Sequence, residues 1–363
     1  MLEPASDADL RAAGVEPPDG DPFRVDGFFD FVRWLQTKGA STDEIAAAAR
    51  RGWGDLDALR LELLVFGPGE LDLADLAELA RTNQDHIDKW WNTLGLAHVQ
   101  SNGRSFNDTD VAIARFSSGM TSTFGDRAED VMRVAGLALR QLATAWLDTS
   151  RVTAQTPLMT MPDVEVGRIV EAWVETKPDV DQFLTAIFWR HMCDVLAQHS
   201  VTYAGDGTTT ISRTIVFVDL VDYTSLSQRI DHLELGRIVG ALERLAVSAA
   251  SAQHGRVVKT LGDGVMLEFG EASAAVHAAQ TLVEPRPDLP LRRAGVASGH
   301  VLARQGDYFG PAVNLTARLA AVAEPGEVVV DHLPAGIAGD EMAPVVLKGY
   351  DEPVTPFRVH RPK

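Results

Sequence analysis

Apolar residues in the first 200 positions recur at intervals of three and four, which is the spacing of one face of an α-helix. The pattern is clearest in three segments, residues 71–96, 128–147 and 181–200. Ser41 and Glu44 have the spacing of a helix amino-terminal capping box, and an apolar run follows them. We therefore predict an all-helical domain over residues 1–203.

The pattern changes in residues 204–212, where glycine and threonine replace the helical periodicity. This composition is typical of a linker or of the approach to a strand. Beyond it, strand-like apolar runs and helical stretches alternate in the order β-α-β-β-α-β, followed by a further helix and two strands. That order predicts an α+β fold for residues 213–363, built on the ferredoxin-like split βαβ sheet with helices on one face.

The composition narrows the class of protein. The 363 residues are 45% hydrophobic and 23% charged, so each half is able to bury a core. A formal net charge of −18 argues against a protein that wraps nucleic acid or coats an anionic membrane. Cys193 is the single cysteine, which excludes an internal disulfide, and no apolar stretch is long enough to span a bilayer. We expect a cytoplasmic protein in a reducing compartment.

Two aspartates stand at the ends of apolar runs in the second half. Asp219 lies at the end of the strand predicted for residues 214–220, and Asp263 lies in a Gly-Asp-Gly turn between two strand-like runs. Carboxylates that meet at one sheet edge repel each other unless a divalent cation lies between them. Mg²⁺ and Mn²⁺ prefer oxygen ligands and can stabilise the attacking and leaving oxygens of a phosphoryl transfer. Each aspartate alone has the simpler interpretation of a turn or cap residue.

A further polar pair lies in the helix predicted for residues 311–323. Asn314 and Arg318 are four positions apart and therefore share one helix face. A surface arginine that pairs with a carboxylate would give the same pattern, so this pair alone indicates no function.

Taken together, these motifs resemble those of the class III nucleotidyl cyclases. The shared residues are Asp219, Lys259, Asp263, Asp307, Asn314 and Arg318. The resemblance covers roughly residues 210–360, and the joint pattern is far more specific than any glycine-rich motif alone. The helical first half looks like the autoinhibitory domain of actinobacterial soluble adenylyl cyclases, which is a looser similarity.

The resemblance implies a reaction and a metal site. Asp219 and Asp263 would hold two divalent cations, Mg²⁺ or Mn²⁺, and the Leu220 carbonyl would assist one of them. The implied reaction is attack of the ribose 3′-hydroxyl on the α-phosphorus of ATP, which gives cyclic AMP and pyrophosphate. Positioning and charge neutralisation dominate such chemistry.

The resemblance also implies how the nucleotide is read. Lys259 would donate to adenine N1, and Asp307 would accept from the exocyclic amine. Guanine would present a donor and a carbonyl to the same two groups, and such desolvated mismatches discriminate strongly. By the same resemblance Asn314 would orient the ribose, and Arg318 would stabilise charge on the α-phosphoryl group. Lys348 matches a late lysine of the family that contacts the triphosphate, although an exposed Lys-Gly turn has the same sequence.

In this family the site lies between two catalytic domains, one supplying the metal aspartates and the other the base-reading pair. Because this chain carries both sets, the resemblance implies a head-to-tail homodimer with two equivalent sites. One position departs from the family pattern. Asp222 stands where glycine is usual, in a loop that passes close to the phosphates. Its carboxylate would either repel the triphosphate or turn outward.

The first half has a second interpretation. The apolar spacing of residues 73–96, followed by that of 106–116, is typical of a MerR-type helix-turn-helix. In another interpretation, the exposed-looking pair Trp90-Trp91 could line an apolar ligand pocket. Apart from Arg81 and Lys89 the segment is mostly acidic or neutral, whereas a DNA reader needs cations that face phosphate. We therefore favour a helical module that shifts the cyclase between competent and closed arrangements. The alternative is a DNA-binding regulator whose cyclase-like half only senses nucleotide.

The resembling cyclases respond to pH or lipid through such a domain, so the resemblance implies a proton, lipid or small-molecule signal here. His191 and His199 precede the predicted linker, where a change of charge could bias a hinge. Most histidines are simply solvated or hydrogen-bonded, and we favour that interpretation for each of them.

Overall fold

The computed structural model describes residues 6–19, 22–96, 106–158, 161–198 and 210–361. The chain divides into two compact units, Met1–Leu196 and Ala197–Lys363. None of the described helices is long and apolar enough to cross a membrane.

Helices form the first unit, and one isolated β-bridge joins Leu71 to Phe106. The helices are α1 (Asp7–Ala12), α2 (Pro22–Val25), α3 (Phe28–Thr37), α4 (Thr42–Arg51), α5 (Trp53–Phe66), α6 (Leu73–Leu79), α7 (Gln84–Leu94), α8 (Asp108–Phe124), α9 (Arg127–Leu158), α10 (Asp163–Val174) and α11 (Lys177–Gln198). Ser41 caps α4 by accepting from the Glu44 amide at 3.2 Å, and Glu44 bonds back to the Ser41 amide. The predicted capping box is therefore confirmed.

Within its described residues, the first unit contains two separate apolar cores. One packs α1, α3, α4 and α5 together, and the other packs α6, α7, α8 and the start of α9. Trp90 and Trp91 lie in the second core, with 2% and 0% of their surfaces exposed. The expectation that this pair is exposed is therefore wrong, because both indoles pack in the apolar core. With Ile87 they occupy positions i, i+3 and i+4, which form the single buried face of α7.

A cluster of charged side chains attaches α10 to the first core. Arg24 bonds both to Asp57 at 2.9 Å and to the buried Asp163 at 2.6 Å. Its guanidinium carbon also lies 4.1 Å from the ring centre of Trp53. Because Asp163 is the first residue of α10, these contacts fix the start of that helix.

Helices α9 and α11 leave large apolar side chains in solvent. On α9 these include Leu137, Leu142 and Leu147, and on α11 they include Phe188, Trp189 and Leu196, of which Trp189 is 59% exposed. Large exposed apolar side chains that group together are candidates for a contact surface.

The second unit is an α+β domain, as the sequence predicts. Its elements are β1 (Thr210–Leu220), α12 (Tyr223–Ser227), α13 (His232–Ala252), β2 (Arg256–Thr260), β3 (Gly264–Phe269), α14 (Ala272–Val283), β4 (Arg292–Arg304), β5 (Asp307–Phe309), α15 (Pro311–Val322), β6 (Val328–Val330), β7 (Gly339–Glu341) and β8 (Phe357–Val359). The sheet order is β2-β3-β1-β4-β6-β8-β7, and β5 pairs with β4. The first four strands of that order form the ferredoxin-like sheet.

The predicted linker, residues 204–212, falls mostly outside the described residues. Its last three residues, 210–212, already belong to β1, so the sheet begins earlier than the sequence suggested. The reason lies in β4, which pairs with β1 along the whole length of β1, from Thr210 to Leu220.

The two faces of the sheet have different coverings. Val216, Val218 and Leu220 point to α13 and α14, whereas Ile215 and Ile211 point to the opposite face, where α15 packs. The expectation of helices on one face therefore holds for the βαβ core but not for α15. Side chains alternate along β1, so Asp219 belongs to the α15 face.

Candidate active site

The end of β1 and the β2–β3 turn bring Asp219 and Asp263 to one corner of the sheet. Asp219 pairs with Gly264 across the β1–β3 ladder, and the Leu220 amide donates to the Asp263 carbonyl oxygen at 3.0 Å. A Cβ atom on Gly264 would lie 2.7 Å from the Val218 carbonyl oxygen, so the close approach requires glycine. The structure therefore brings together the two aspartates that the sequence pattern singled out.

The carboxyl group of Asp219 is perturbed by its surroundings. Burial raises the pKa of Asp219 above its ordinary range, and the negative charge of Asp263 raises it further. Arg293 opposes this shift from β4, where its Nη2 lies 3.3 Å from Asp219 Oδ2. The sequence analysis did not single out Arg293, although its place in an apolar strand was a signal that it needs a partner.

The carboxylate oxygens at this corner are ligands of the kind that a divalent cation prefers. Two carboxylates that repel each other supply hard oxygen ligands and gain from a positive charge between them. Within the described ranges no group of three or more His, Cys, Asp or Glu side chains forms a metal cluster. Further ligands would therefore come from water, nucleotide or backbone oxygens. The role of the Leu220 carbonyl stays a prediction.

The predicted base-reading residues meet directly. Lys259 Nζ lies 2.5 Å from Asp307 Oδ2, although the residues are 48 positions apart. The other carboxylate oxygen, Oδ1, accepts from the Tyr308 amide at 2.8 Å. Both side chains are partly exposed, so a ligand has access to the pair.

Asn314 and Arg318 lie on the exposed face of α15, as the helical spacing predicts. The opposite face packs tightly on β4. A Cβ atom on Gly295 would lie 2.3 Å from the Thr316 carbonyl oxygen, so the helix backbone rests directly on the strand. The position of α15 is thereby fixed, while the roles of Asn314 and Arg318 stay predictions.

Lys348 lies exposed in the turn before Gly349. The Tyr350 amide donates to the Leu347 carbonyl at 3.0 Å, and the Tyr350 hydroxyl donates to the Pro311 carbonyl at 3.3 Å. The turn that carries Lys348 is thus attached to the first residue of α15. The sequence analysis missed Tyr350, whose contact joins segments 39 positions apart.

Asp222 adopts a left-handed backbone conformation, with φ 58° and ψ 27°, immediately before α12. Its side chain makes no capping hydrogen bond to the helix. Glycine adopts this conformation without steric cost, whereas other residues rarely do. The backbone therefore explains why glycine suits this position.

His86, which the sequence analysis did not single out, makes a side-chain hydrogen bond to Trp90 in the second core of the first unit. Its Nε2 accepts from Trp90 Nε1 at 2.7 Å, and burial, followed by the charge of Lys89, lowers its pKa. His191 is exposed on α11, and His199 lies outside the described residues.

The helix-turn-helix rhythm corresponds to α6 and α7, which are separated by a turn that contains Arg81 at φ 56°. Lys89 on α7 is paired with Glu129 at 2.8 Å, so its charge is already matched within the chain.

The amino-acid sequence of this chain is similar to those of several bacterial proteins. No protein-family model matches the chain. The adenylate cyclase of Streptomyces coelicolor is 32% identical over 286 residues, which cover 76% of this chain and 73% of that protein. An uncharacterised protein of Mycobacterium tuberculosis is 30% identical over 365 residues, covering 97% of this chain and 93% of that protein.

Two further similarities are more distant. A pH-sensitive adenylate cyclase of M. tuberculosis is 27% identical over 358 residues, covering 91% of this chain and 87% of that protein. The crystal structure of the adenylyl cyclase CyaB from P. aeruginosa is 21% identical and covers 43% of this chain and 97% of its own, with a TM-score of 0.38. The similarity to the Streptomyces enzyme extends over most of both proteins, and on that ground this chain belongs to the class III adenylyl cyclase family.

Proposed function

We propose that the protein is an adenylate cyclase that converts ATP to 3′,5′-cyclic AMP and pyrophosphate with two divalent cations, Mg²⁺ or Mn²⁺. The observation that carries the proposal is the meeting of Asp219 with Asp263 and of Lys259 with Asp307 in a chain whose relatives include named adenylate cyclases. Each pair joins residues distant in sequence. The first pair would bind the metal ions, and the second would recognise the base.

Asp219 and Asp263 would hold the cations through their carboxylate oxygens. Cations held there would neutralise charge on the triphosphate and would lower the pKa of the ribose 3′-hydroxyl. Arg318 would place its guanidinium where negative charge develops on the α-phosphoryl oxygens, and Asn314 would hold the ribose in line for attack. Lys348 would bind the triphosphate from the turn that Tyr350 attaches to α15.

Lys259 and Asp307 would read the base after separating from each other. In the free chain they satisfy one another at 2.5 Å, so neither is left as an unpaired charge. Adenine replaces this contact with two hydrogen bonds, one to the Lys259 ammonium and one to the Asp307 carboxylate. Guanine offers a donor to the lysine and an acceptor to the aspartate, which leaves both groups unsatisfied.

We further propose a head-to-tail homodimer in which one chain supplies the metal aspartates and the other the base-reading pair. The presence of both residue sets in one chain supports this proposal, and the exposed apolar side chains of α9 and α11 would give the first unit a surface on which a second copy could also pack. The proposed location is the cytoplasm, with no nucleic-acid partner. The N-terminal unit would act as an autoinhibitory domain that responds to protons, lipid or a small molecule.

The decisive experiment incubates the purified chain with ATP and Mn²⁺ and measures cyclic AMP. Asp219→Asn should abolish product while the circular-dichroism spectrum remains that of the folded chain. A parent chain that leaves ATP unchanged, as a dimer and with Mn²⁺ present, contradicts the proposal.

The proposed regulation has a separate test. A chain that begins at residue 201 retains the core of the second unit, which α13, α14 and the sheet form. Its specific activity should exceed that of the full chain, because the inhibitory unit is removed. Equal rates in the two proteins would reduce the first unit to a passive scaffold.

A further inference from the structure

The two strands that carry the base-reading residues are not neighbours in the sheet. In the part of the chain that the structure describes, the backbone ladder joins β2 only to β3 and β5 only to β4. The backbone sheet links β2 to β5 only through β3, β1 and β4, so no backbone hydrogen bond joins the strands of Lys259 and Asp307 directly. The direct links between these two strands in the described residues are side-chain contacts.

A second side-chain bridge crosses the same gap. Arg256, on β2 with Lys259, donates from Nη2 to the Tyr308 hydroxyl at 2.7 Å, and Tyr308 follows Asp307 on β5. The β2–β3 register shifts between Val257 and Lys259. Because of that irregularity, the side chains of Arg256 and Lys259 both extend toward β5, where each finds its partner.

The bridge has a rigid anchor on its other side. Glu268 on β3 is only 4% exposed, and each of its carboxylate oxygens binds one arginine. Oε1 accepts from Arg256 Nε at 2.6 Å, and Oε2 lies 3.0 Å from Arg213 Nε on β1. Tyr308 is itself buried in the apolar cluster between the sheet and α15. Charge-assisted bonds held by buried partners keep a side chain in one geometry.

We propose that Arg256, Glu268 and Tyr308 form a spacer that sets the separation of Lys259 and Asp307 and thereby determines the preference for adenine over guanine. When a nucleotide enters, the direct contact between Lys259 and Asp307 opens, and the spacer is the side-chain bridge that still joins the two strands. It also holds the Tyr308 amide, which orients the Asp307 carboxylate. Arg256 and Tyr308 are positioning residues and do not touch the base. The inference rests on the proposed function.

The test compares ATP with GTP as substrates of the full-length chain in the presence of Mn²⁺. Tyr308→Phe keeps the ring in the core and removes the accepting hydroxyl. It should lower the ratio of kcat/KM for ATP to that for GTP about tenfold, mainly through the KM for ATP, because one charge-assisted hydrogen bond is lost. Tm should change little, since the buried ring is retained.

Arg256→Lys provides the second variant. Lysine keeps a positive charge beside Glu268 but cannot donate to both Glu268 and Tyr308 with a planar fork. The ATP-to-GTP ratio of kcat/KM should fall as it does in Tyr308→Phe. The double variant should show the same ratio as either single variant, because both substitutions remove the same bridge.

The matched control is Tyr350→Phe, which removes a hydroxyl from the same unit outside the spacer. This substitution loosens the turn that carries Lys348, and the proposed contact of Lys348 with the triphosphate is the same for ATP and GTP. The values of kcat/KM for ATP and GTP should therefore change together, and their ratio should stay that of the parent. An unchanged ratio in Tyr308→Phe and in Arg256→Lys overturns the inference. If Lys259→Glu nevertheless lowers the ATP-to-GTP ratio, the proposed function is supported and only the role of the spacer is rejected. If the parent chain forms no cyclic nucleotide, both the proposed function and the spacer are rejected.

Discussion

Arg293 faces Asp219 across the β1–β4 ladder, with its Nη2 3.3 Å from the carboxylate oxygen Oδ2. Its Nη1 donates to the Ala321 carbonyl oxygen at the end of α15, at 3.1 Å. A cation of the protein itself thus lies beside Asp219 and offsets part of the repulsion that Asp263 exerts on it. A divalent ion at the same corner would compete with it for Asp219.

Arg293→Met should make the free chain less stable and its response to metal larger. Without the guanidinium, Asp219 and Asp263 repel each other with less compensation, and the unfolding free energy should fall by about 0.5–1 kcal/mol. Because the competing cation is gone, Mn²⁺ should raise Tm by more than it does in the parent chain. Thermal unfolding with and without Mn²⁺ measures both effects.

Arg237→Met serves as the control, because it removes an exposed arginine paired with Glu234 away from this corner. Its response to Mn²⁺ should equal that of the parent. An Arg293 variant that behaves in the same way would show that the guanidinium does not influence metal binding.

The raised pKa of Asp219 gives a prediction for stability against pH. Between the ordinary value of 3.8 and the raised value, the folded chain keeps a proton that the unfolded chain has lost. The contribution of this group to stability therefore decreases as pH rises through that interval, and the whole penalty is present above it. Asp219→Asn should be at least as stable as the parent at neutral pH in metal-free buffer, and the difference should shrink toward pH 3.8.

Denaturant unfolding across this pH range checks the sign. A variant that is less stable than the parent at neutral pH would mean that the Arg293 contact outweighs burial and repulsion. Addition of Mn²⁺ should stabilise the parent and leave Asp219→Asn nearly unchanged.

Changing Lys259 to Glu and Asp307 to Cys together should reverse the nucleotide preference. The glutamate can accept from guanine N1, and the thiol removes the acceptor that opposes the guanine carbonyl. We expect the ATP-to-GTP ratio of kcat/KM to fall by about a hundredfold or more. Steady-state rates with each nucleotide measure it, and an undiminished preference for ATP would exclude this pair as the base reader.

Asp222→Gly should stabilise the chain and leave its activity equal or higher. The substitution relieves a left-handed backbone and removes a carboxylate from the loop predicted to pass near the phosphates. The expected gain is up to about 1 kcal/mol in unfolding free energy, reduced by the greater freedom of glycine in the unfolded chain.

The same exchange at Asp231 should have the opposite effect. Asp231 has φ −75°, and its side chain caps α13 by accepting from the Glu234 amide at 2.8 Å. Asp231→Gly should therefore destabilise the chain. A large loss of activity in Asp222→Gly would show that the aspartate has a positive role in catalysis.

His86→Gln should reduce the sensitivity of the first unit to acid. The pKa of His86 is lowered by folding, so its contribution to stability is complete above 6.5 and is lost as pH falls through the lowered pKa. Protonation removes the acceptor for the buried Trp90, whereas a glutamine oxygen can accept at any pH. The decrease in Tm between about pH 7.5 and 5.5 should be smaller in the variant, and His191→Gln should behave as the parent does.

Periodicity was enough to predict the main elements of this protein. The long strands β1 and β4 and the helices α13 to α15 bury one face along many residues, which produces a clear pattern. Strands β5 and β7 have three residues each, too few for any alternation to register. Trp90 and Trp91 were misjudged because adjacent indoles suggest a surface pair until the buried face of α7 is known.

Side-chain partnerships across the fold were harder to predict. Arg292 is fully buried and donates to the carbonyl oxygens of Leu282 and Pro290 near the end of α14. Glu268 interrupts an otherwise apolar strand for a comparable reason. The contact of Arg292 with Leu282 on α14 and that of Glu268 with Arg213 on β1 do not follow from local sequence, because each partner belongs to a different element. The meeting of Lys259 with Asp307 was expected from family resemblance and not from spacing.

The left-handed backbone at position 222 also has an evolutionary consequence. Aspartate and glycine codons differ by a single base, so one point mutation would introduce the residue that this conformation suits. A single base change is therefore enough to remove the conformational cost of aspartate at this position. Because Asp222→Gly is expected to leave activity equal or higher, a variant of this chain that carries glycine there should be at least as active as the aspartate form.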